Sequence, residues 1–384
     1  MNDAVAMTRD FDFALPEELV AQEPPAARGD SRLLVLHRDT GKIEHTTFAR
    51  IVDVLRTGDL LVLNNTKVFP ARLLGQRLPG GGAVECLLVR QLPRPEHDPA
   101  DDATTGVEVP LTGEPAAGGM SASGAMWWEA LMHPGQRLKP GTRTVFDRRG
   151  VRLYGEVLAR HFHGRRTIKL WTSGDIAVPD AIERIGHMPL PPYIKRDDRM
   201  ADRERYQTVY ARERGSIAAP TAGLHFTAGV LAALVSKGVE RRELTLHVGY
   251  GTFKPMRCEQ IRDHVVDPET YAVPVETAAA ITRARKEGRR VVAVGTTSMR
   301  ALESLRPGDD GRIHPAASET ELCIRPGHTF RVADGLITNF HLPRSSLLVL
   351  VAAFVGRERL LEAYREAISR GYRFYSYGDA MAIL

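Results

Sequence analysis

The second half of the chain alternates short apolar runs with segments of helical character, and this pattern constrains the fold more than any other feature. Leu244 to Val248 and Val291 to Val294 have the length and apolar character of buried strands. Between them, Glu276 to Glu287 is predicted to form a helix that Gly288 ends. Strands that alternate with helices are typical of α/β architecture. We therefore expect an α/β main domain, with a mixed sheet or distorted barrel and helices packed on it.

Residues 74–150 differ from the rest of the chain and are predicted to form a smaller, inserted all-β domain. Short apolar runs at Val84 to Val89 and Trp127 to Met132 lie near the turn signals Pro134-Gly135 and Pro140-Gly141. The stretch from Pro93 to Ala125 is rich in small and polar residues without periodicity, and is predicted to be a long mobile loop. The main domain is then expected in two parts, residues 1–73 and 151–384.

Composition and charge exclude several classes of protein. The three cysteines, Cys86, Cys258 and Cys323, are far apart, so we expect neither a disulfide framework nor a zinc site. The longest apolar run, Leu347 to Val355, has about half of the roughly 20 residues that a membrane helix needs. The first ten residues lack the apolar core of a signal peptide. We expect a cytoplasmic protein with no membrane partner and, because no heptad pattern is visible, a monomer.

The net charge of +5 is compatible with a nucleic-acid partner, and the basic residues are clustered. One cluster places Arg160, Arg165 and Arg166 around Phe162. The other two are the run from Arg283 to Arg290 and the mixed run from Lys195 to Arg205. Such clusters can bind phosphates by releasing counterions. Each can equally be an ordinary solvated surface, and both interpretations stay open.

The motifs of the common nucleotide and metal sites are absent. The sequence has no G-x-x-x-x-G-K-[ST] phosphate loop and no H-E-x-x-H. The pair Gly249 and Gly251 does not continue into a G-x-G-x-x-G motif, because Thr252, Phe253 and Lys254 follow. We therefore expect no metal site and none of the usual dinucleotide folds.

Polar residues instead gather where predicted strands end. His247 lies near the end of one predicted strand, where it can equally be a solvated histidine at a strand edge. The hydroxyls of residues 296–298 follow the next strand, and Asn339 and His341 follow a third. Ligands of α/β sheets bind at such carboxyl ends. The hydroxyls can hold a carboxylate or phosphate at a helix N-terminus, or can simply cap the helix.

Two further segments have both a functional and a structural interpretation. His225 lies in a small-residue segment before a helix, where it can act as a base or be satisfied by a backbone carbonyl in a capping turn. The tail from Tyr372 to Met381 is dense in aromatic rings. These rings can stack on a base or pack into the core, and for most of them the core is favoured.

Taken together, these segments resemble the S-adenosylmethionine:tRNA ribosyltransferase-isomerase family of queuosine biosynthesis. Eight segments match in the order of the family, from near the N-terminus to the last residues. They are NNTKVFPARL (64–73), IGHMPLPPYIKR (185–196), RYQTVYA (205–211), APTAGLHF (219–226), LHVGYGTFKP (246–255), VGTTSMRALES (294–304), TNFHLPRSSL (338–347) and YRFYSYGDAM (372–381). One such segment would be weak evidence, whereas eight in order are specific.

The resemblance implies an unusual reaction. The family moves the ribosyl part of S-adenosylmethionine onto 7-aminomethyl-7-deazaguanine at the wobble position of tRNA. The product is epoxyqueuosine, and adenine and methionine are released. S-adenosylmethionine is then a consumed co-substrate, and no cofactor is expected. The reaction requires a base that removes a proton beside the sulfonium, and neutral histidine suits that task.

Candidate residues follow from this chemistry and from placement at strand ends. The catalytic candidates are His225, His247, His341, Glu303 and Asp379. The histidines are candidate bases, and the carboxylates are candidates to hold the substrate amine or to protonate adenine. Arg300 and the hydroxyls are candidates to bind the methionine carboxylate. The substrate-binding candidates are Asn64, Asn65, Lys67, Arg72, Thr221, Thr296, Thr297, Ser298, Arg300 and Asn339.

Three alternatives remain at this point. A relative could keep the donor site and modify a different acceptor. A tRNA-binding protein without catalysis would need the basic surfaces but not the strand-end histidines and hydroxyls. A conventional methyltransferase would use the same donor, although the glycine-rich loop typical of such folds is missing.

Overall fold

The computed structural model describes residues 6–95, 124–253 and 256–384. The chain divides into two compact units, which we call the sheet unit and the barrel unit. Of the described residues, 6–68 and 190–384 form the sheet unit, and the barrel unit is Phe69–Pro189. Most of the predicted loop from Pro93 to Ala125 lies outside the described residues. The expected fold class, α/β with an inserted all-β part, is confirmed.

The sheet unit contains eleven strands and seven helices among its described residues. The strands are β1 Arg32–Leu36, β2 Ile43–Thr47, β3 Leu60–Asn64, β4 Thr66–Val68, β11 Glu213–Ser216, β12 Glu240–Leu246, β13 Glu269–Val273, β14 Val291–Val294, β15 Ala316–Thr320, β16 Gly335–Asn339 and β17 Ala380–Ile383. The helices are α1 Ile51–Val54, α3 Asp202–Arg205, α4 Ala228–Ser236, α5 Val275–Lys286, α6 Thr296–Ser304, α7 Ser346–Val355 and α8 Arg357–Ser369.

Nine of these strands form one mixed sheet in the order β15-β13-β12-β3-β14-β16-β17-β1-β2. The four central strands β12, β3, β14 and β16 are parallel. β17 is antiparallel to β16, and β1 is parallel to β17. Consequently the ends of the four central strands and the beginnings of β1 and β17 all lie at one edge of the sheet. Polar segments that are distant in sequence meet there.

Of the central strands, β3, β14 and β16 are buried on both faces, which explains why their sequences are mainly continuous apolar runs rather than alternating ones. Leu61 and Leu63 pack in one cluster with Leu231 and Leu234 of α4. Leu60 and Val62 pack in the other cluster, with residues of α5, α6, α7 and α8. Helices therefore cover both faces of the sheet, as the alternation of strands and helices predicts.

The aromatic tail is part of the core, as favoured above. Phe340 is fully buried and contacts Tyr364, Tyr372 and Phe374, with ring centroids 5.1–5.5 Å apart. Aromatic pairs at such distances add to the energy of burial. This packing anchors the C-terminal strand β17 beside the ends of the central strands.

The barrel unit is a closed six-stranded barrel, and it contains one helix, α2 Val178–Ile185. Its strands are β5 Arg72–Leu78, β6 Ala83–Leu92, β7 Met126–His133, β8 Arg143–Arg148, β9 Val151–Arg160 and β10 Arg165–Thr172. This unit is longer than the predicted inserted domain, residues 74–150. The reason is that β9 and β10, which were assigned to the main domain, pair with each other and with β8 and β7 to close the barrel.

Candidate active site

A cleft lies at the edge of the sheet where the central strands end. Its walls surround about 480 Å³ of empty space, part of it open to solvent. Residues from five of the family-like segments line it. The lining residues are Ala218, Ala219, Pro220, Thr221, Ala222, Val248, Gly295, Thr296, Thr297, Thr338, Asn339, His341, Leu347, Tyr375 and Ser376.

The N-terminus of α6 forms one wall of the cleft and is uncapped. The residue before the helix, Gly295, has φ 88°, a conformation that favours glycine, and no side chain in the described part of the chain accepts a capping hydrogen bond. Ser298 Oγ donates to the carbonyl of Val294 at 2.7 Å, and Thr297 Oγ1 accepts from Asn64 Nδ2 at 3.3 Å. Helix capping therefore does not explain these hydroxyls. The first N–H groups of a helix lack intrahelical acceptors and attract anions.

A chain of hydrogen bonds runs from the cleft wall into the protein through Asn339. Thr221 Oγ1 donates to Asn339 Oδ1 at 2.9 Å, and Asn339 Nδ2 lies 3.0 Å from His225 Nε2. Asn339 Nδ2 also donates to the carbonyl of Tyr375, which fixes the orientation of the amide. His225 Nε2 must therefore accept, so Nδ1 carries the proton and donates to Ser31 Oγ at 2.5 Å.

Both nitrogens of His225 are thus occupied, and the ring is buried against Phe48. Burial lowers the pKa of His225 to about 4, although nearby Asp379 opposes the shift. The side chain is neutral at physiological pH and has no free lone pair. Its position suits a residue that orients Asn339 rather than one that takes a proton from a ligand.

His341 is the one predicted histidine that lines the cleft. Its Nε2 lies 2.8 Å from Thr338 Oγ1, and its backbone N–H donates to Tyr364 Oη. Burial lowers the pKa of His341 to about 3, so the imidazole is neutral at physiological pH. Among the described residues Nδ1 has no hydrogen-bonding partner. One ring nitrogen is therefore held and the other is available to a ligand.

His247 lies just beyond β12 but does not line the cleft. Its Nδ1 is 2.8 Å from Thr66 Oγ1, beside the small sheet formed by β4 and β11. Gly215 packs against the ring so closely that a Cβ there would lie 2.7 Å from Cε1. Burial lowers the pKa of His247, and the charge of Glu213 partly opposes the shift. The ring is half-buried, and no partner of Nε2 is found in the described part of the chain.

The geometry does not support the roles expected for Arg300 and Glu303. The Arg300 guanidinium forms a buried ion pair with Glu269 and donates to the carbonyls of Leu322 and Thr320. The carboxylate of Glu303 accepts the backbone N–H groups of residues 331, 332 and 333 at 2.8–3.0 Å. The hydrogen-bonding groups of both side chains are occupied by protein groups outside the cleft lining. Both residues therefore stabilise the strands and loops around α6.

Asp379 is likewise engaged by the protein. It forms an ion pair with Arg32 at 2.8 Å and accepts the backbone N–H groups of Arg32 and Arg373. These contacts tie the beginning of β1 to the tail. A buried carboxylate with this many donors stabilises the fold rather than transferring a proton. Its influence on the cleft is indirect, through the electrostatic effect on His225.

The remaining predicted residues separate into buried, exposed and distant groups. Asn64 and Asn65 are buried and bonded to the protein, Asn64 to the backbone of Leu246 at both its N–H and its carbonyl. Lys67 is exposed on β4. Arg72 belongs to the barrel unit, where it pairs with Glu85 at 2.8 Å.

Sequence analysis missed Ser31 and the specific role of Tyr375. Ser31 lies 194 residues before its partner His225 and belongs to no motif, so no sequence signal points to it. Tyr375 is in the aromatic tail, but its left-handed conformation, φ 75°, is not visible in the sequence. That conformation accompanies the approach of its carbonyl to the Asn339 amide.

The fold and cleft define an α/β protein with a cleft at the ends of its parallel strands. A model of the family described as queuosine biosynthesis protein matches residues 8–383. The S-adenosylmethionine:tRNA ribosyltransferase-isomerase of Nitratidesulfovibrio vulgaris (strain DP4) is 50% identical over 376 residues, 97% of this chain and 96% of that protein. The corresponding protein of Desulfitobacterium hafniense is 45% identical, over 98% of this chain and 99% of its own.

A crystal structure of S-adenosylmethionine tRNA ribosyltransferase from Thermotoga maritima is also similar. It shares 36% identity and a TM-score of 0.51, and the match covers 98% of this chain and 100% of that one. The chain therefore belongs to the queuosine biosynthesis protein family, and the resemblance inferred from its sequence is confirmed.

Two further findings concern metal binding and membrane spans in the described residues. In residues 6–95, 124–253 and 256–384, no group of three or more His, Cys, Asp or Glu side chains gathers in a way that could hold a metal ion. Within the same ranges, no helix has both the length and the apolar character needed to cross a membrane.

Glu303→Gln is expected to destabilise the protein. The carboxylate satisfies three backbone donors, whereas an amide has one acceptor oxygen and places its NH₂ group against N–H donors. We expect a loss of about 2–4 kcal/mol in the free energy of unfolding, measured by urea denaturation. Glu358→Gln, at an 83% exposed side chain, is the control and should change little. Unchanged stability of Glu303→Gln would contradict the structural role.

The two buried histidines predict a loss of stability in mild acid. Their folded pKa values are lowered to about 4 and about 3, whereas in the unfolded chain the value is about 6.5. Protons therefore bind preferentially to the unfolded state as the pH falls below 6.5, and the stabilisation present above that pH is lost. Between pH 7 and 5 the wild type should lose roughly 2 kcal/mol more than His341→Gln. Equal losses in urea denaturation would contradict the burial of a neutral ring.

Proposed function

We propose that this protein is an S-adenosylmethionine:tRNA ribosyltransferase-isomerase. It transfers and isomerises the ribosyl group of S-adenosylmethionine onto 7-aminomethyl-7-deazaguanine at the wobble position of tRNA. Epoxyqueuosine forms in the tRNA, and adenine and methionine are released. The observation that carries the proposal is the cleft, in which an uncapped helix N-terminus and a neutral histidine with a free nitrogen face the same space. Five family-like segments build that space.

The α6 N-terminus is proposed to bind the carboxylate of the methionine part. Its free N–H groups and positive dipole end favour an anion, and the Thr296 and Thr297 side chains lie at the same wall. We assign no part of this task to Arg300, because its guanidinium is paired with Glu269. Val248, Leu347 and Tyr375 supply the apolar part of the wall against which the rest of the donor can pack.

His341 is proposed to be the base that removes the proton from the ribose carbon bonded to the sulfonium. A base must first be within reach of the proton, and only then is its pKa decisive. Of the three candidates, His341 alone lines the cleft, and its held Nε2 leaves Nδ1 for the substrate. The sulfonium acidifies the neighbouring carbon, and the resulting ylide can open the ribose ring and expel adenine.

His225 and His247 are proposed to act through their neighbours. His225 accepts from Asn339, so it holds the amide that in turn fixes the Thr221 hydroxyl at the cleft wall. His247 contacts Thr66, directly after the Asn64-Asn65 turn that reaches the α6 N-terminus. Both are positioning residues in this proposal. The donor is consumed in the reaction, so no further cofactor is assigned.

The substrates of the proposed reaction are tRNA and S-adenosylmethionine. A cytoplasmic location and a monomeric state are part of the proposal. The cytoplasmic location is supported by tRNA as the proposed acceptor, and the monomeric state by the lack of a heptad pattern in the sequence. The excess of basic over acidic residues is compatible with an RNA partner.

Product analysis tests the proposed activity. The protein is incubated with S-adenosylmethionine and tRNA that carries 7-aminomethyl-7-deazaguanine, and small products and digested tRNA are analysed by mass spectrometry. We expect adenine, methionine and epoxyqueuosine. S-adenosylhomocysteine would indicate methyl transfer and refute the proposal. Turnover only with another acceptor would favour the related enzyme, and tRNA binding without any product would favour the inactive binder.

His341→Gln tests the assignment of the base. Glutamine keeps a polar contact to Thr338 but cannot accept the proton, so kcat for adenine release should fall about 10²–10⁴-fold. The Kd for tRNA should stay within about threefold. The control is His264→Gln, because burial lowers the pKa of His264 as it does that of His341, yet His264 is only half-buried and lies outside the cleft lining. A larger fall in kcat for His247→Gln than for His341→Gln would indicate that His247 is the base.

A further inference from the structure

The hairpin that joins β9 and β10 presents an aromatic ring to solvent. Phe162 is 88% exposed and is the most exposed large hydrophobic side chain in the described parts of the chain. A single exposed apolar residue is ordinary on protein surfaces. The position of this ring is informative, because it lies at the tip of the β9–β10 turn, with arginines on both sides.

The turn is held by hydrogen bonds rather than by packing of the ring. The backbone N–H of His161 donates to the carbonyl of Arg165 at 2.9 Å, and His161 Nε2 lies 2.9 Å from Thr167 Oγ1. Gly164 supplies the positive φ, 81°, that closes the turn. Phe162 therefore contributes little to the turn itself, and the fold keeps it in solvent at a defined position.

Positive charge is concentrated at the base of this hairpin. Arg166 is fully buried, and its guanidinium donates to the carbonyls of Leu138, Arg165 and Gly135, so it pairs with no carboxylate among the described residues. Exposed Arg160 is its cross-strand partner, and burial together with the charge of Arg160 lowers the pKa of Arg166. Arg160 forms no ion pair within the described ranges.

Several arginines of the other two basic clusters are paired with carboxylates. Arg283 and Arg289 both pair with Glu240, and Arg290 pairs with Asp59. Arg196, in the third cluster, pairs with Asp202 and Glu23. In the hairpin cluster Arg165 pairs with Glu129 at 2.7 Å, whereas Arg160 and Arg166 form no ion pair among the described residues and lie beside an exposed aromatic ring.

We propose that the tip of the β9–β10 hairpin is an RNA contact, in which Phe162 stacks on an unpaired base and Arg160 binds the adjoining phosphate. The inference rests on tRNA being the acceptor substrate. RNA is the partner that matches both features, because unpaired bases stack on aromatic side chains while phosphates bind arginines. An acidic protein would match the charges rather than the ring, and an anionic lipid surface is an outcome that the vesicle measurement below distinguishes from RNA.

Binding measurements on the full chain test this contact. Fluorescently labelled tRNA is titrated with wild type, Phe162→Ala and Phe162→Trp, and the Kd is read from anisotropy. Phe162→Ala should weaken binding about 5- to 100-fold, the range expected for one stacked base. Phe162→Trp, which keeps a stacking ring, should stay within about threefold of wild type. Arg160→Gln should lower the slope of log Kd against log salt by about 1.

Two controls test whether a loss of tRNA affinity is specific to the Phe162 ring. Val265→Ala removes an 84% exposed apolar side chain in the sheet unit and should leave the Kd unchanged. Thermal unfolding of Phe162→Ala should match that of wild type, because the ring makes few contacts in the folded protein. Equal tRNA affinity of wild type and Phe162→Ala would overturn the inference. So would a dependence on Phe162 that is found only with anionic phosphatidylglycerol vesicles.

Adenine release by the wild type separates this inference from the proposed activity. If the wild type releases adenine while Phe162→Ala binds tRNA as tightly, the hairpin contact is wrong and the activity stands. If the wild type releases no adenine but Phe162→Ala loses tRNA affinity, the activity is wrong and the RNA contact stands.

Discussion

The side-chain amide of Asn64 connects the ends of two parallel strands and the helix that follows a third. Its oxygen accepts the backbone N–H groups of Thr66 and Leu246, and its nitrogen donates to the carbonyl of Leu246 and to Thr297 Oγ1. All of these groups are buried, where an unsatisfied donor or acceptor is costly. The amide therefore sets the distance between β3, β12 and α6, and with it the wall of the cleft.

Burial also determines the protonation states at this edge of the sheet. The rings of His225 and His341 are removed from water without a carboxylate close enough to keep them charged, so both remain neutral. Charged groups of the same segments are instead paired with protein partners, as Arg300 is with Glu269 and Asp379 with Arg32. The cleft is left with hydroxyls, amides, helix N–H groups and a neutral imidazole, a set that suits a donor carrying both a carboxylate and a sulfonium.

Sequence reasoning identified the segments correctly but assigned several side chains the wrong partners. A charged residue in a motif can face a ligand or satisfy main-chain groups, and the motif does not distinguish the two. Glu303 binds N–H groups of residues 331–333, about thirty positions away, and Ser31 binds a histidine 194 residues later. The predicted boundary of the barrel was also wrong, because the sequences of β9 and β10 do not indicate whether these strands pair with the barrel or with the main sheet.

The sequence by itself determined the α/β class, the strands that are buried on both faces, and the family, because these depend on local apolar patterns and on motif order. Only the tertiary structure decided which motif residues meet in the cleft and which serve the scaffold. The reason is that the parallel order of β12, β3, β14 and β16 and the return of β17 bring together residues with no sequence relation. Their hydrogen-bonding partners then decide which groups remain free for a substrate.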